Sequence, residues 1–199
     1  MYKPELLAPA GSFEKAKVAL IYGADAVYCG SSSLSLRSRA SVENDDLSNI
    51  IKYAHDLGKK VYVAINVYAP DNMYDEIKEQ VEILNKLYVD GVLVADGGVL
   101  EIVKEFAPDI PIHISTQANT LSAHSALFWY KNGAKRIVLS REMNKNDIKY
   151  LIENIPQGLE TEMFIHGAIC WAYSGRCYLS DFMASRNANL GDCAQSCRW

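Results

Sequence analysis

The sequence predicts an α/β fold of the TIM-barrel type, a (β/α)8-like barrel of which these 199 residues supply seven βα units. Three observations carry that reading. Short β-branched or apolar runs alternate with amphipathic stretches along the chain, the pattern of a parallel sheet with helical crossovers. The runs recur evenly, roughly 26 residues apart on average. No G-x-G-x-x-G follows the first run, so the competing doubly wound sheet lacks its fingerprint.

The elements follow in order. A first strand at residues 5–8 leads into Pro9, Gly11 and Ser12, and a helix at 13–22 stops before Gly23. A second strand at 26–29 runs into CGSSSLSLRSRA, which carries Arg37 and Arg39, and its helix at 47–57 precedes Gly58. The third strand, 61–66, ends at Asn66. Its helix, 74–87, has Ile77, Val81, Leu84 and Tyr88 at three- or four-residue intervals, as one apolar face requires. A fourth strand at 91–95 reaches Asp96-Gly97-Gly98 and a helix at 98–106. The fifth, 112–115, enters STQANT, with Gln117 and Asn119, before a helix at 122–132 and Gly133. The sixth, 136–139, ends in Ser140-Arg141-Glu142 before a helix at 145–155. The seventh, 161–165, runs into His166-Gly167-Ala168-Ile169-Cys170. Gly23, Gly58, Gly91 and Gly133 are expected to cap the preceding helices.

Composition narrows the class. With 49% hydrophobic and 22% charged residues, the chain has the material for one sizeable core. No apolar run approaches a membrane span, and the N-terminus lacks a signal-peptide pattern, so a cytoplasmic location is expected. A net charge of −4 argues against a generic, charge-driven nucleic-acid binder. It leaves room for a local basic site: Arg37 and Arg39 lie close together, and Arg176, Arg186 and Arg198 lie among cysteines. Seven units are one short of a closed barrel, and the sequence stops directly after a cysteine motif. The expectation is the N-terminal part of a longer protein, with an exposed parallel-strand edge.

In a parallel barrel, chemistry gathers at the C-terminal ends of the strands. Those ends bring hydroxyls, amides, an Arg-Glu pair, His166 and Cys170 to one mouth. Four of five cysteines follow the pattern Cys170-x6-Cys177-x15-Cys193-x3-Cys197. That is neither a zinc ribbon nor a ferredoxin run. Four thiolates at irregular spacing still suit a 4Fe–4S cluster, since each iron needs one soft anionic ligand; structural thiols are the alternative. Gly167, Gly175 and Gly191 would let the backbone approach a bulky group. Cys29 reads as a small buried residue. His166 and Cys170 invite a thiol-protease reading, which needs spatial contact and an orienting third group; otherwise His166 is a strand-end residue bonded to a neighbour. Trp129, Trp171, Tyr173 and Trp199 would stack a base or, more ordinarily, pack as core or cluster shielding. Arg141 and Glu142 read as an ion pair or as an anion clamp with its orienting partner.

The run Glu162-x-Phe164-x2-Gly167-Ala168-Ile169-Cys170-x4-Gly175-x-Cys177-x-Leu179-Ser180 resembles, position for position, the signature of the peptidase U32 family. KPELLAPAGS, GADAVYCG, LGKKVYVAIN, IHISTQANT, RIVLSRE and GDCAQSCRW resemble other segments of it, so the likeness covers residues 1–199, with 162–199 as the cysteine-rich motif region. The family was named for collagenase-like proteases. Better-understood members support hydroxylation: of the tRNA wobble uridine, with prephenate; of an rRNA cytidine; and of the ubiquinone ring. The CRW ending makes this chain most similar to the first group.

The resemblance therefore implies 5-hydroxyuridine formation in tRNA, a 4Fe–4S cluster and prephenate as co-substrate, with rRNA as an alternative substrate. Cys170, Cys177 and Cys193 match cluster ligands of relatives. Cys197 is the natural fourth, although some relatives take that ligand from further downstream. His166, Glu142 and Arg141 become candidate catalytic residues. Arg37, Arg39, Asn66, Gln117, Asn119 and Arg176 become candidate substrate contacts, since arginines suit a dicarboxylate or RNA phosphates. A collagenase-like peptidase and a cluster-binding accessory subunit acting with a protein partner are the competing expectations.

Overall fold

The strands are two-faced, and that decides the layers. In the strand Lys60–Ile65, Val61, Val63 and Ile65 join a large buried cluster with helix residues, whereas Tyr62 and Ala64 join a second, smaller cluster on the opposite face. Period-two alternation with both faces apolar marks a sheet covered on one side and closed on the other. The computed structural model describes residues 3–31, 34–35, 41–167, 169–173 and 176–198.

The strands are β1 (Leu7–Pro9), β2 (Ala26–Ser31), β3 (Ser41–Val42), β4 (Lys60–Ile65), β5 (Gly91–Val94), β6 (Ile112–Ile114), β7 (Ala134–Val138) and β8 (Glu160–Glu162). Helices α1 (Phe13–Ile21), α2 (Asn44–Asp56), α3 (Tyr74–Lys86), α4 (Gly97–Phe106), α5 (Ala123–Lys131) and α6 (Lys145–Asn154) alternate with them, and α7 (Leu179–Ala184) lies in the cysteine-rich region. Every pairing is parallel, in the order β1-β2-β4-β5-β6-β7-β8, with β3 added beside the end of β2. A doubly wound sheet reverses its strand order at a switch point. This order runs straight through, so the crossovers all wind the same way and the sheet curls.

The curl is measurable. Glu5, just ahead of β1, and Arg136, on β7, lie five strand positions apart in the sheet, yet Arg136 Nη1 donates to Glu5 Oε1 at 2.9 Å. Tyr62, on the intervening β4, donates its hydroxyl to Glu5 Oε1 at 3.0 Å. Only a sheet rolled towards a cylinder brings these side chains together in its lumen. The seven expected βα units thus form a curled part-barrel, with β1 and β8 at the two ends of the strand order.

Two expectations are corrected, and two elements are added. Gly91 does not cap α3: it opens β5, and Tyr88, at φ 56°, takes the left-handed position instead. The lumen explains the glycine, because a Cβ at Gly91 would stand 3.0 Å from the His113 ring. Gly23, Gly58 and Gly133 do have positive φ, as helix-terminating glycines should. The seventh strand ends at Glu162 rather than at residue 165. β3 and α7, too short for a periodic signal, were not anticipated.

Candidate active site

The loops leaving β4, β6 and β7 build the mouth. Asn66, directly after β4, donates Nδ2 to Ser115 Oγ at 3.2 Å and to Gln117 Oε1 at 3.1 Å; Ser115 also bonds Gln117. A 3-10 turn, Thr116–Ala118, then swings the chain round, and Asn119 adopts the left-handed conformation that Asn tolerates best after Gly (φ 55°). That turn aims the Asn119 amide at the next strand end. Its Oδ1 accepts from Ser140 Oγ at 3.0 Å, and its Nδ2 donates to the Tyr173 hydroxyl. Ser140 is also bonded to Glu142. Arg141 carries its guanidinium 4.3 Å over the Phe164 ring, and Arg176 Nε reaches the Gln117 carbonyl at 3.5 Å.

Beside these bonds lies a half-open cavity of about 290 Å³, lined by Arg141, Glu142, Ile169, Cys170, Trp171, Ala172 and Tyr173. The mouth therefore unites Asn66, Gln117, Asn119, Arg141, Glu142, Cys170 and Arg176. His166 is exposed and outside the lining, and among the described residues it makes no hydrogen bond, so the expected bond to a neighbour is absent there. Glu142 leans on Ser140 through its hydrogen bond. Arg37 and Arg39 lie outside the described residues, as does Trp199. Trp129 packs against the core, as expected, and Trp171 is 80% exposed. Cys29 is buried, which pushes its thiol up to about 12 and keeps it an inert thiol.

The other three tail cysteines sit in segments stitched to one another. Cys177 N–H donates to Asn189 Oδ1 at 3.0 Å, and Ala194 N–H to Ser180 Oγ at 2.8 Å. Arg186 grips Asp192 Oδ1 at 2.7 and 3.0 Å and reaches the Cys193 carbonyl at 3.4 Å. Arg198, next to Cys197, donates to the Ile169 carbonyl beside Cys170 at 3.1 Å. None of the four cysteines forms a disulfide. Two accept amide bonds on sulfur: Leu179 N–H to Cys177 Sγ at 3.4 Å and Gln195 N–H to Cys193 Sγ at 3.3 Å. Hydrogen bonds to the ligand sulfurs are a usual feature of iron–sulfur sites.

Among the described residues, no three His, Cys, Asp or Glu side chains are grouped to hold one metal ion. A four-iron cluster asks for something different. Each thiolate meets its own iron, so the sulfurs stand further apart than around a single ion. The donor set fits a cluster in its chemistry: four free thiols, two already receiving amide bonds.

The model of Peptidase family U32 matches residues 11–199. The chain belongs to that family. It is 41% identical over 198 residues to tRNA hydroxylation protein P1 of Bacillus subtilis, covering 99% of this chain and 46% of that protein. It is 42% identical over 205 residues to tRNA hydroxylation protein P of Escherichia coli, covering 100% and 44%. The chain thus spans about half the length of these relatives. Among solved structures, a U32 peptidase superposes with a TM-score of 0.67 at 18% identity, covering 82% of this chain and 71% of the other, a likeness of fold.

The U32 signature acquires physical roles here. Glu162 ends β8 and faces Arg136 at 3.6 Å; Phe164 is the floor beneath Arg141; Gly167 takes φ 134°. Ser180 holds the Cys193 loop through the Ala194 amide. Sequence reasoning missed Asn189, Asp192 and the Phe164–Arg141 stack. An Asn or Asp in a loop has no period to betray it, whereas Phe164 stood in the signature and gave a usable signal.

Proposed function

We propose that this U32 chain takes part in RNA hydroxylation, forming 5-hydroxyuridine at the tRNA wobble position with prephenate as co-substrate. One observation carries the reading: identity above 40% across nearly the whole chain to proteins named for tRNA hydroxylation. Cys170, Cys177, Cys193 and Cys197 would hold a 4Fe–4S cluster, supported by the two amide-to-sulfur bonds. Such a cluster, when bound, supplies electron transfer or activation of an oxygen donor.

The chain's own residues have distinct tasks. Arg141, fixed over Phe164, and Arg176, fixed on the Gln117 carbonyl, offer cations to a dicarboxylate or to RNA phosphates. The Asn66–Ser115–Gln117 group adds amide and hydroxyl groups at the same mouth. Glu142, poised on Ser140, and His166, exposed after β8, are the candidate proton carriers. A peptidase reading would need Cys170 paired with a base, and His166 lies outside the cavity that Cys170 lines. Work in the cytoplasm with a protein partner is compatible with this reading. Among the described residues, no helix is long and apolar enough to cross a membrane.

Anaerobic purification with iron and sulfide analysis tests the cluster, and nucleoside analysis of cellular tRNA tests the reaction. About four irons per chain are expected, lost together with 5-hydroxyuridine in Cys170→Ala. An iron-free protein that still supported the modification would remove the cluster. A chain that left tRNA unmodified yet cleaved gelatin would return the peptidase reading.

A further inference from the structure

We infer that the cavity lined by Cys170, Trp171 and Tyr173 is a stacking pocket for one unpaired nucleobase, with Trp171 as its principal wall. The inference rests on the RNA reading above and specifies which part of the RNA the site grips.

Exposure comes first. A tryptophan usually hides most of its surface, yet Trp171 is 80% exposed, and Tyr178 and Phe182, further along the same cysteine-rich region, are 69% and 89% exposed. Large aromatic faces left in water mark a binding surface. The second observation is order. Tyr173 is held by its hydroxyl on Asn119, which is held by Ser140, which is bonded to Glu142. One wall of the cavity is thus tied to the ends of β6 and β7 before any ligand arrives, which lowers the cost of ordering it.

Size and charge select the occupant. At about 290 Å³ the cavity lies at the small end of ligand sites, suited to a single base with its sugar rather than to a folded partner's side-chain cluster. Arg141 lines it, and two more arginines are tied to its lining residues: Arg198 donates to the Ile169 carbonyl, and the Arg176 amide reaches the Tyr173 carbonyl. Described residues 163–198 carry three arginines against two aspartates, a small positive excess in a chain whose net charge is −4. Aromatic faces beside arginines are what an unstacked nucleotide requires: π-faces for the base and cations for its phosphates. The Glu142 carboxylate adds an acceptor for a base N–H. A paired base cannot present its face, so the pocket selects loop nucleotides over a duplex.

The test is fluorescence anisotropy with the full chain. The probes are a labelled RNA hairpin with a uridine-containing loop and the loop-free duplex made from its stem. Trp171→Ala should weaken hairpin binding by about tenfold and leave duplex binding unmoved, Trp171→Phe should restore most of the loss, and Tyr173→Ala should weaken hairpin binding less. Trp171 is exposed, so its replacement leaves the core intact. Unchanged hairpin affinity in Trp171→Ala, with wild-type binding intact, would overturn the stacking pocket while the RNA reading stands. A wild-type chain that binds neither RNA would overturn both. So would a proline-rich peptide that binds the wild type and is lost with Trp171, since the surface would then be a peptide site.

Discussion

His113 shows how a single lumen residue fixes a property of the molecule. It is 3% exposed, packs its ring 4.7 Å from Tyr62, and stands near the charges of Arg136 and Lys60. Burial first, and those two cations second, lower it to about 3 from the ordinary 6.5. The imidazole is therefore neutral in the folded state throughout the physiological range. In the unfolded chain it gains a proton below pH 6.5, while the folded protein declines one until near pH 3. Between those limits the unfolded state binds more protons, so stability falls as pH falls, by at most about 1.4 kcal/mol per unit from this group. Above the window His113 contributes no slope. Urea unfolding at pH 7 and pH 5 should show a shallower loss for His113→Gln than for the wild type; equal losses would mean that His113 titrates freely. Nothing in the local sequence announces this, because a histidine inside an apolar strand looks the same whether it faces helices or lumen.

At the scale of elements, the helices were readable because their apolar faces repeat. Ile77, Val81 and Leu84 are all buried, as their spacing required, whereas Tyr88, the fourth residue of that row, lies beyond the end of α3 and is 80% exposed. The cysteine tail was not readable in that way: its shape comes from Asn189, Ser180 and Asp192, side chains that bond backbone or an arginine at no regular interval. Strand-end polarity proved ambiguous for a further reason, since the same residue types cap helices. Asp96, at the end of the fourth strand, accepts from Gly98 N–H at 2.8 Å and Val99 N–H at 3.2 Å, and so caps α4. Asp96→Ala should cost about 1 kcal/mol of stability with hairpin-RNA affinity and iron content unchanged, whereas Asp96→Asn should cost less. Lost RNA binding at unchanged urea midpoint would instead move Asp96 into the binding site.

On the scale of the whole molecule, the repeat of βα units announced the barrel, but not what holds its two ends in place. Glu160 and Glu162 reach Arg136 across the adjacent β7–β8 pairing, but Glu5 and Tyr62 meet it only when the sheet curls. Arg136 is the hub: it meets Glu5 Oε1 at 2.9 Å, Glu160 Oε2 at 2.6 Å and Glu162 Oε2 at 3.6 Å, and lies 4.9 Å from the centre of the Tyr62 ring. These contacts tie the segment before β1 to β7 and β8, the opposite end of the strand order. Burial raises the Glu162 carboxyl even against the pull of Arg136, whereas at Glu5 the Arg136 charge and hydrogen bonds outweigh burial and hold the carboxyl low. A buried ion pair adds little over a well-packed apolar substitute, but removing one partner strands the others. Arg136→Met should therefore cost about 3–5 kcal/mol, because Glu5 and Glu162 lose their shared cation. Adding Glu5→Gln and Glu162→Gln should recover most of that in the same urea titration. Hydrogen exchange should also speed up at the β1 and β8 amides of the single variant, and slow again in the triple. If the triple variant proved as unstable as the single, Arg136 would matter for its packing on Tyr62, and the charges would not be what joins the ends of the sheet.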